Sequence, residues 1–408
     1  MTLCRSITIA VAILAFEILA FAHSRAPGQS SPAPMRTMIQ PLDTIAPPYD
    51  ANEPVAGSVQ QVQTAEERAA ALDLLTKARQ LSSVRQFPYL LKTTFTSYGS
   101  QTDGNWILED TSPGRGIYRW TAQGPSFSGT FLYRDSLLSS DRPGGEIPLR
   151  LAQVRNAMWS EFFPGFGPHA ALFLANGNLA GADLKCLLIM PGVIRSDRQM
   201  PASRSYNERE YCVYPQTGLL AVYSPVPGYF VRYDYSAPLH FHDKITVPNS
   251  FTIYEAGKAT IEARTESIGD PATVNDAVFE GTGLQAVGTG QVTDPPETTM
   301  SYIFNRDLPE GAPAQVVVVA AMLSADGRVL QHEVLSTTDE SKDQIALDHV
   351  AKSGIVQMKS KVQQQPGTTP RAQEVIYTME IVPAPPRPCP QMGMQVPGAG
   401  AFCGQPSQ

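Results

Sequence analysis

The sequence predicts an α+β protein: one long antiparallel sheet with a few covering helices, then a small unit built as hairpin, helix and strand. Three observations predict it. Between residues 89 and 264, short alternating runs of β-branched and aromatic residues follow one another, separated by turn residues. Helical periodicity is confined to three stretches, near residues 64–83, 149–160 and 341–353. Residues 315–382 repeat the sheet pattern once more around the last of these helices. Many consecutive strands with few helices leave an antiparallel, strongly twisted sheet as the simplest arrangement.

The chain has 408 residues, enough for two ordinary domains and tails, and its 42% hydrophobic content suits real cores. A net charge of −7 excludes a broadly basic footprint, so no nucleic-acid partner is expected. Arg5 precedes an apolar run, residues 7–22, that contains Glu17 and ends Ala20, Phe21, Ala22. Such a basic start, apolar core and small-residue end predict a secretory signal peptide over residues 1–22. The run falls short of the roughly 20 residues that span a bilayer. Cleavage after Ala22 and retention as an anchor both remain open. Cys4 lies before the apolar core, where no lipid-anchor cysteine belongs. Residues 23–63 are rich in Pro, Ser, Gln and Ala and read as an extended linker.

The first domain, residues 64–284, opens on Thr64, Ala65, Glu66 and Glu67, a capping box leading into a helix with Leu72, Leu75 and Ala78 on one face. Strands follow. Tyr89, Leu91, Thr93, Phe95 and Ser97 alternate, and Trp106 with Leu108 comes after the Asp103-Gly104 turn. Tyr118 and Trp120 come next, and then Phe127, Gly129, Phe131 and Tyr133. A short helix is expected over residues 149–160, with Leu151, Val154 and Met158 sharing a face. Further strands centre on residues 212–214, 219–223, 229–235, 240–245, 251–255 and 260–264. In element order and aromatic-rich strands this domain resembles the half-barrel of LolA-type periplasmic lipoprotein carriers. That resemblance implies an apolar concave face holding acyl chains, lined by Phe95, Trp106, Trp120, Phe131 and Tyr133. The same aromatics also fit an ordinary core packed against the helices.

Residues 285–311, rich in Gly, Pro and Thr, read as a linker with one extra strand at 300–305. The unit at residues 312–384 begins with Val316 to Val319, turns at Ser324, Ala325, Asp326 and Gly327, and returns along residues 328–336. Asp-Gly between two β-forming runs is a strong hairpin signal. Ser341, Lys342, Asp343 and Gln344 form a second expected capping box, and Gly354 stands where a C-cap glycine would. Val375, Tyr377, Met379 and Ile381 then share one face of a closing strand. The hairpin Ser324-Ala325-Asp326-Gly327-Arg328-Val329, the helix start at residues 343–350 and the strand at 374–382 resemble the C-terminal domain of TonB-type energy transducers. Ser353, Gly354 and Ile355 depart from that family, which carries an aromatic pair and a Pro there. The resemblance implies a periplasmic location and docking of an envelope protein by strand addition to the closing strand, through Val375, Tyr377, Met379 and Ile381. Residues 385–408 form a Pro/Gly-rich tail.

Exported cysteines pair, and the expected disulfides are Cys186 with Cys212 and Cys389 with Cys403. His240 and His242 lie one residue apart on a strand, but no third ligand is near in sequence, so a polar sheet surface is expected rather than a metal. No nucleophile elbow, Walker loop, dinucleotide fingerprint or HExxH occurs. These readings point to a non-enzymatic binding and adaptor protein of the cell envelope, without cofactor. Its ligand would be a lipid or lipoprotein and its partner an envelope protein; the alternative is an exported scaffold with no ligand.

Overall fold

A computed structural model describes residues 55–98, 103–142, 146–159, 170–190, 209–226, 229–255, 257–271, 274–289, 297–309, 312, 315–364 and 372–384. The expected signal peptide, most of the expected first linker, and the tail with Cys389 and Cys403 lie outside the described residues. The first half of the chain contributes β1 (Val55–Gln61), α1 (Ala65–Ser82), β2 (Tyr89–Ser97), β3 (Gly104–Gly114), β4 (Ile117–Gln123), β5 (Ser128–Arg134), β6 (Leu137–Ser140), α2 (Leu149–Trp159), β7 (Ala171–Leu179) and β8 (Ala182–Met190). The second half contributes β9 (Arg209–Val213), β10 (Leu220–Val226), β11 (Tyr229–Asp234), β12 (Leu239–Phe241), β13 (Ile245–Val247), β14 (Ser250–Glu255), β15 (Lys258–Gly269), β16 (Gln285–Thr289), β17 (Glu297–Asn305), β18 (Gln315–Leu323), β19 (Val329–Thr337), α3 (Asp343–Gln364) and β20 (Gln373–Pro383).

Fourteen strands form one sheet in the order β1-β7-β8-β9-β10-β11-β14-β15-β2-β3-β4-β5-β6-β16. Most neighbours are consecutive in the chain and all pair antiparallel, as the alternating runs predicted. The sheet curls around its contents: Leu172 on β7 and Leu138 on β6 share one apolar cluster with Phe95 and Ile261 from its middle. Thr64 caps α1 as expected, its hydroxyl accepting from the Glu67 amide while the Glu67 carboxylate accepts from the Thr64 amide. Ala71, Leu75 and Ala78 turn into the cluster.

β12 and β13 pair in a small two-stranded sheet, and the C-terminal sheet has four strands in the order β17-β20-β18-β19. Asp326 and Gly327 close its hairpin, with Gly327 at φ 83°, a conformation glycine takes without a Cβ clash. Its two faces have different covers. Val317, Val319, Ala321, Val375, Tyr377, Met379 and Ile381 pack against Ala346, Leu347 and Val350 of α3. Val316, Val318, Ala320, Met322, Leu335 and Ile376 point the other way and join the cluster of the large sheet.

That second face corrects the expectation of two separately folded bodies, because one continuous core serves the fourteen-stranded and the C-terminal sheets. The segments read as linkers are strands in part. Within residues 23–63, β1 pairs with β7; within 285–311, β16 pairs with β6 and β17 runs parallel to β20. Short strands diluted by Gly, Pro and Thr carry little local signal, and their partners supply the order. The second capping box is also displaced. Asp339 caps a turn of 3-10 helix at Glu340–Lys342, and α3 begins at Asp343. Gly354 is interior to α3 rather than at its end, since the helix runs on to Gln364. A Cβ at this position would stand 2.6 Å from the Gly327 carbonyl oxygen, so the glycine lets the helix rest on the hairpin turn.

Candidate functional site

Helix α2 is the hinge of the arrangement. Leu151 and Val154 of the predicted apolar face are buried in the main cluster with Leu149 and Ala157, and Met158 packs against it half-buried. Arg150, Gln153 and Asn156 lie to one side of that face and Arg155 to another, yet all four are buried as well. The first three meet polar groups from both sheets. Arg150 Nη1 lies 2.5 Å from Glu255 Oε1 on β14 and 3.1 Å from Glu333 Oε1 on β19, and Nη2 donates to Glu333 Oε2 at 3.1 Å. Gln153 Nε2 donates to Glu255 Oε1 at 2.6 Å, and Leu149 N donates to the Gln331 side chain. Asn156 Nδ2 donates to Glu374 Oε2 on β20 at 3.3 Å. Burial raises the Glu333 carboxyl to about 8, against the pull of Arg150. Burial, with Glu255 and Glu333 nearby, holds the Glu374 carboxyl well above the usual carboxylate range.

At its C-terminal end α2 borders a cavity of about 190 Å³. Ala157 and Met158 form one wall, and Leu91, Leu220, Tyr233 and Phe251 from the concave face of the large sheet form the other. Tyr233 fixes the geometry by donating to the Ala157 carbonyl at 2.6 Å. The rim is polar: Arg79, Ser82, Ser83 and Arg85 come from the end of α1 and the turn after it. Arg85 lies over the Tyr118 ring at 4.7 Å, and its Nε donates to the Tyr118 hydroxyl at 3.3 Å. Apolar walls with a polar rim suit an amphipathic guest whose apolar part goes in first. A cavity of ~150 Å³ holds one benzene-sized guest, so this one fits a ring or a short alkyl segment.

The aromatics expected to line a cavity stand elsewhere. Phe95, Trp106, Trp120 and Phe131 are 3% exposed or less. Phe95 stacks on Trp106 at 5.5 Å and Trp120 on Phe131 at 3.8 Å, with the Arg155 guanidinium 3.8 Å over Trp120. Tyr133, half-buried, tilts against Tyr118 at 6.2 Å. None of the five borders the cavity. Cys186 and Cys212 are bonded across directly opposed positions of β8 and β9. His240 and His242 do not share a strand face: β12 ends at Phe241, and His242 sits in the turn, 3.0 Å from Asp270 and stacked on Phe87. Val375, Tyr377, Met379 and Ile381 are buried under α3, and β20 lies between β17 and β18. The expected partner-binding edge is therefore an interior strand, already paired on both sides. Residues of the site that sequence reading missed, Glu255, Glu333 and Glu374, sit at strand positions where a charge ordinarily marks solvent. Glu374 shares its face of β20 with Thr378 and Glu380, so the alternation there reads as an ordinary solvent side.

No family model matches the chain and no curated protein does. Solved structures similar to it include a LolA superfamily protein from Nitrosomonas europaea, 14% identical, covering 51% of this chain and 96% of that one at a TM-score of 0.35. A DUF1329 family protein from Desulfovibrio piger is 13% identical over 53% of this chain and 98% of its own, at 0.34. A putative outer membrane lipoprotein-sorting protein domain from Vibrio parahaemolyticus is 9% identical over 52% and 97%, at 0.29. Similarity at this level transfers no ligand or partner. Among the described residues no helix is long and apolar enough to cross a membrane.

Proposed function

We propose that this chain is a non-enzymatic binding protein of the cell envelope, exported to the periplasm, whose cavity takes an apolar segment of a lipid or lipoprotein. The observation that carries the reading is the cavity of about 190 Å³ between α2 and the concave face of the large sheet, apolar in its walls and polar at its mouth. A non-catalytic role fits the chemistry: Arg150 and its glutamates, the densest convergence of charge in the core, are sealed away from any solute. Docking of an envelope protein is not proposed at β20, which has no open edge.

A second reading is an exported scaffold without ligand. The stacked aromatics favour it, because they fill the concave face with the protein's own side chains. Native mass spectrometry of the purified full-length protein separates the two. Ligand carriage predicts co-purifying lipid, uptake of an uncharged short-chain alkyl probe, and at least a tenfold loss of that uptake in Met158→Trp, about 1.4 kcal/mol of binding energy. Protein that emerges without lipid from several preparations and takes up no probe is the scaffold.

A further inference from the structure

We propose that Arg150, Glu255, Glu333 and Glu374 form a proton-dependent latch that clamps the C-terminal sheet onto α2 and so limits the size of guest the cavity admits. The inference rests on reading that cavity as the ligand site. One guanidinium faces three carboxyl groups in a cleft where all four side chains are buried. Arg150 and Gln153 both reach Glu255, and Arg150 also reaches Glu333. Glu374 receives only the amide of Asn156, and its Oε1 has no hydrogen-bond partner. The remaining titratable groups around them are mostly hydroxyls and acids, with Arg209 facing Tyr211 and Tyr223 at one remove. Tyr223 and Tyr229 face Glu374 from β10 and β11, and Asp103 faces Glu333 from the start of β3. Arg155, the other buried arginine of α2, lies over Trp120 and toward Asp110.

A dry cleft with one cation cannot hold three ionised carboxyls, so the closed arrangement requires protons on the carboxyls. Glu333 and Glu374 are the carriers that belong to the C-terminal sheet, and both are raised above the usual range. A raised carboxyl keeps its proton in the closed form and loses it when the sheet separates and water enters. The closed form is therefore at full strength near the unperturbed value of 4.5 and weakens as pH rises through about 8. Helix α2 carries the effect to the cavity. Its first turn bears Arg150, and its last turn, with Ala157 held by Tyr233 and Met158 beside it, is the cavity wall. The C-terminal sheet contributes none of the residues lining the cavity, so its grip acts there through α2, whose closed position leaves room for a short segment. When that grip loosens, the end of α2 can move away from Leu91, Leu220 and Phe251, and a longer segment then fits.

The test uses the full-length protein with two uncharged fluorescent alkyl probes, one short and one long. Between about pH 6 and pH 9, acrylamide quenching of the buried tryptophans and affinity for the long probe should both rise, the affinity by about tenfold or more. Affinity for the short probe should stay constant. In the double variant E333Q/E374Q, which keeps shape and removes the charge, the long-probe profile should be flat and low. Wild-type quenching and long-probe binding that do not change over this range overturn the latch, whatever the variant does. Failure of both probes to bind at any pH refutes the cavity reading instead, and the pH dependence of quenching then decides the latch by itself.

Discussion

Gly354 shows how one residue fixes the position of an element. A glycine inside α3 gives up about 1 kcal/mol of helix propensity relative to alanine. Against that stands contact: an alanine Cβ would meet the Gly327 carbonyl oxygen at 2.6 Å and Leu323 Cδ2 at 3.0 Å. The oxygen belongs to a tight turn held by the Gly327 amide donating to the Ser324 carbonyl and the Ser324 amide donating to the Arg328 carbonyl, so it cannot move aside cheaply. Overpacking of this kind costs roughly 1–3 kcal/mol, which exceeds the propensity gain. Gly354→Ala is expected to destabilise by about 1 kcal/mol net, seen as a lower urea midpoint at unchanged slope. A midpoint equal to or above wild type would mean the helix does not rest on the turn. Arg150 raises the same issue with charge in place of volume. Its guanidinium is 0% exposed and its partners come from two different sheets, so it orders the packing of elements far apart in the chain.

At the scale of elements, the disulfide gives the clearest expectation. Cys186 and Cys212 close a loop across a sequence separation of 26. Chain-entropy reasoning assigns such a loop about 3.5 kcal/mol through the unfolded state. Both sulfurs lie in the apolar cluster with Phe173, Leu188 and Phe230, so the smallest change in packing is the double replacement by alanine. Cys186→Ala with Cys212→Ala should lower unfolding free energy by about 3 kcal/mol while leaving far-ultraviolet circular dichroism intact. A loss below about 0.5 kcal/mol would place the stabilisation elsewhere. Elements built on local pattern were legible in the sequence: the strand from Tyr89 to Ser97, the cap at Thr64 and the hairpin at Asp326-Gly327 all formed where alternation and turn chemistry put them. Elements defined by distant partners were not. The parallel pairing of β17 with β20 joins residues far apart in sequence and leaves no local mark, and it turned an expected edge into an interior strand. The polar residues of α2 gave no local sign of a site for a related reason. Arg150, Gln153 and Asn156 look like a solvated face until Glu255, Glu333 and Glu374 arrive from elsewhere in the chain to meet them. The site was hidden by the same long-range logic.

For the whole molecule, the decisive feature is that the concave face of the large sheet is closed from within by α2 and the C-terminal sheet. Val316, Val318, Ala320, Met322, Leu335 and Ile376 share a cluster with Phe95, Trp106 and Trp120. Two domains with separate cores would unfold in separate steps; a shared core predicts one cooperative transition for the full chain. Consider a chain ended after Thr289, which keeps all fourteen strands of the large sheet, α1 and α2. Its concave face would lose an entire apolar cover, Arg150 would lose Glu333 and Asn156 would lose Glu374. Apolar surface on that scale invites association, and the polar face of α2 would have to be solvated in place. The shortened chain is expected to bind anilinonaphthalene sulfonate strongly, to lose near-ultraviolet dichroism and to associate, while the full chain melts in a single step with coincident probes. A truncated protein that stays monomeric and unfolds cooperatively at the full-length midpoint would show that the large sheet is complete by itself. The C-terminal sheet would then be an appended body, and its grip on α2 would have no bearing on what the cavity can hold.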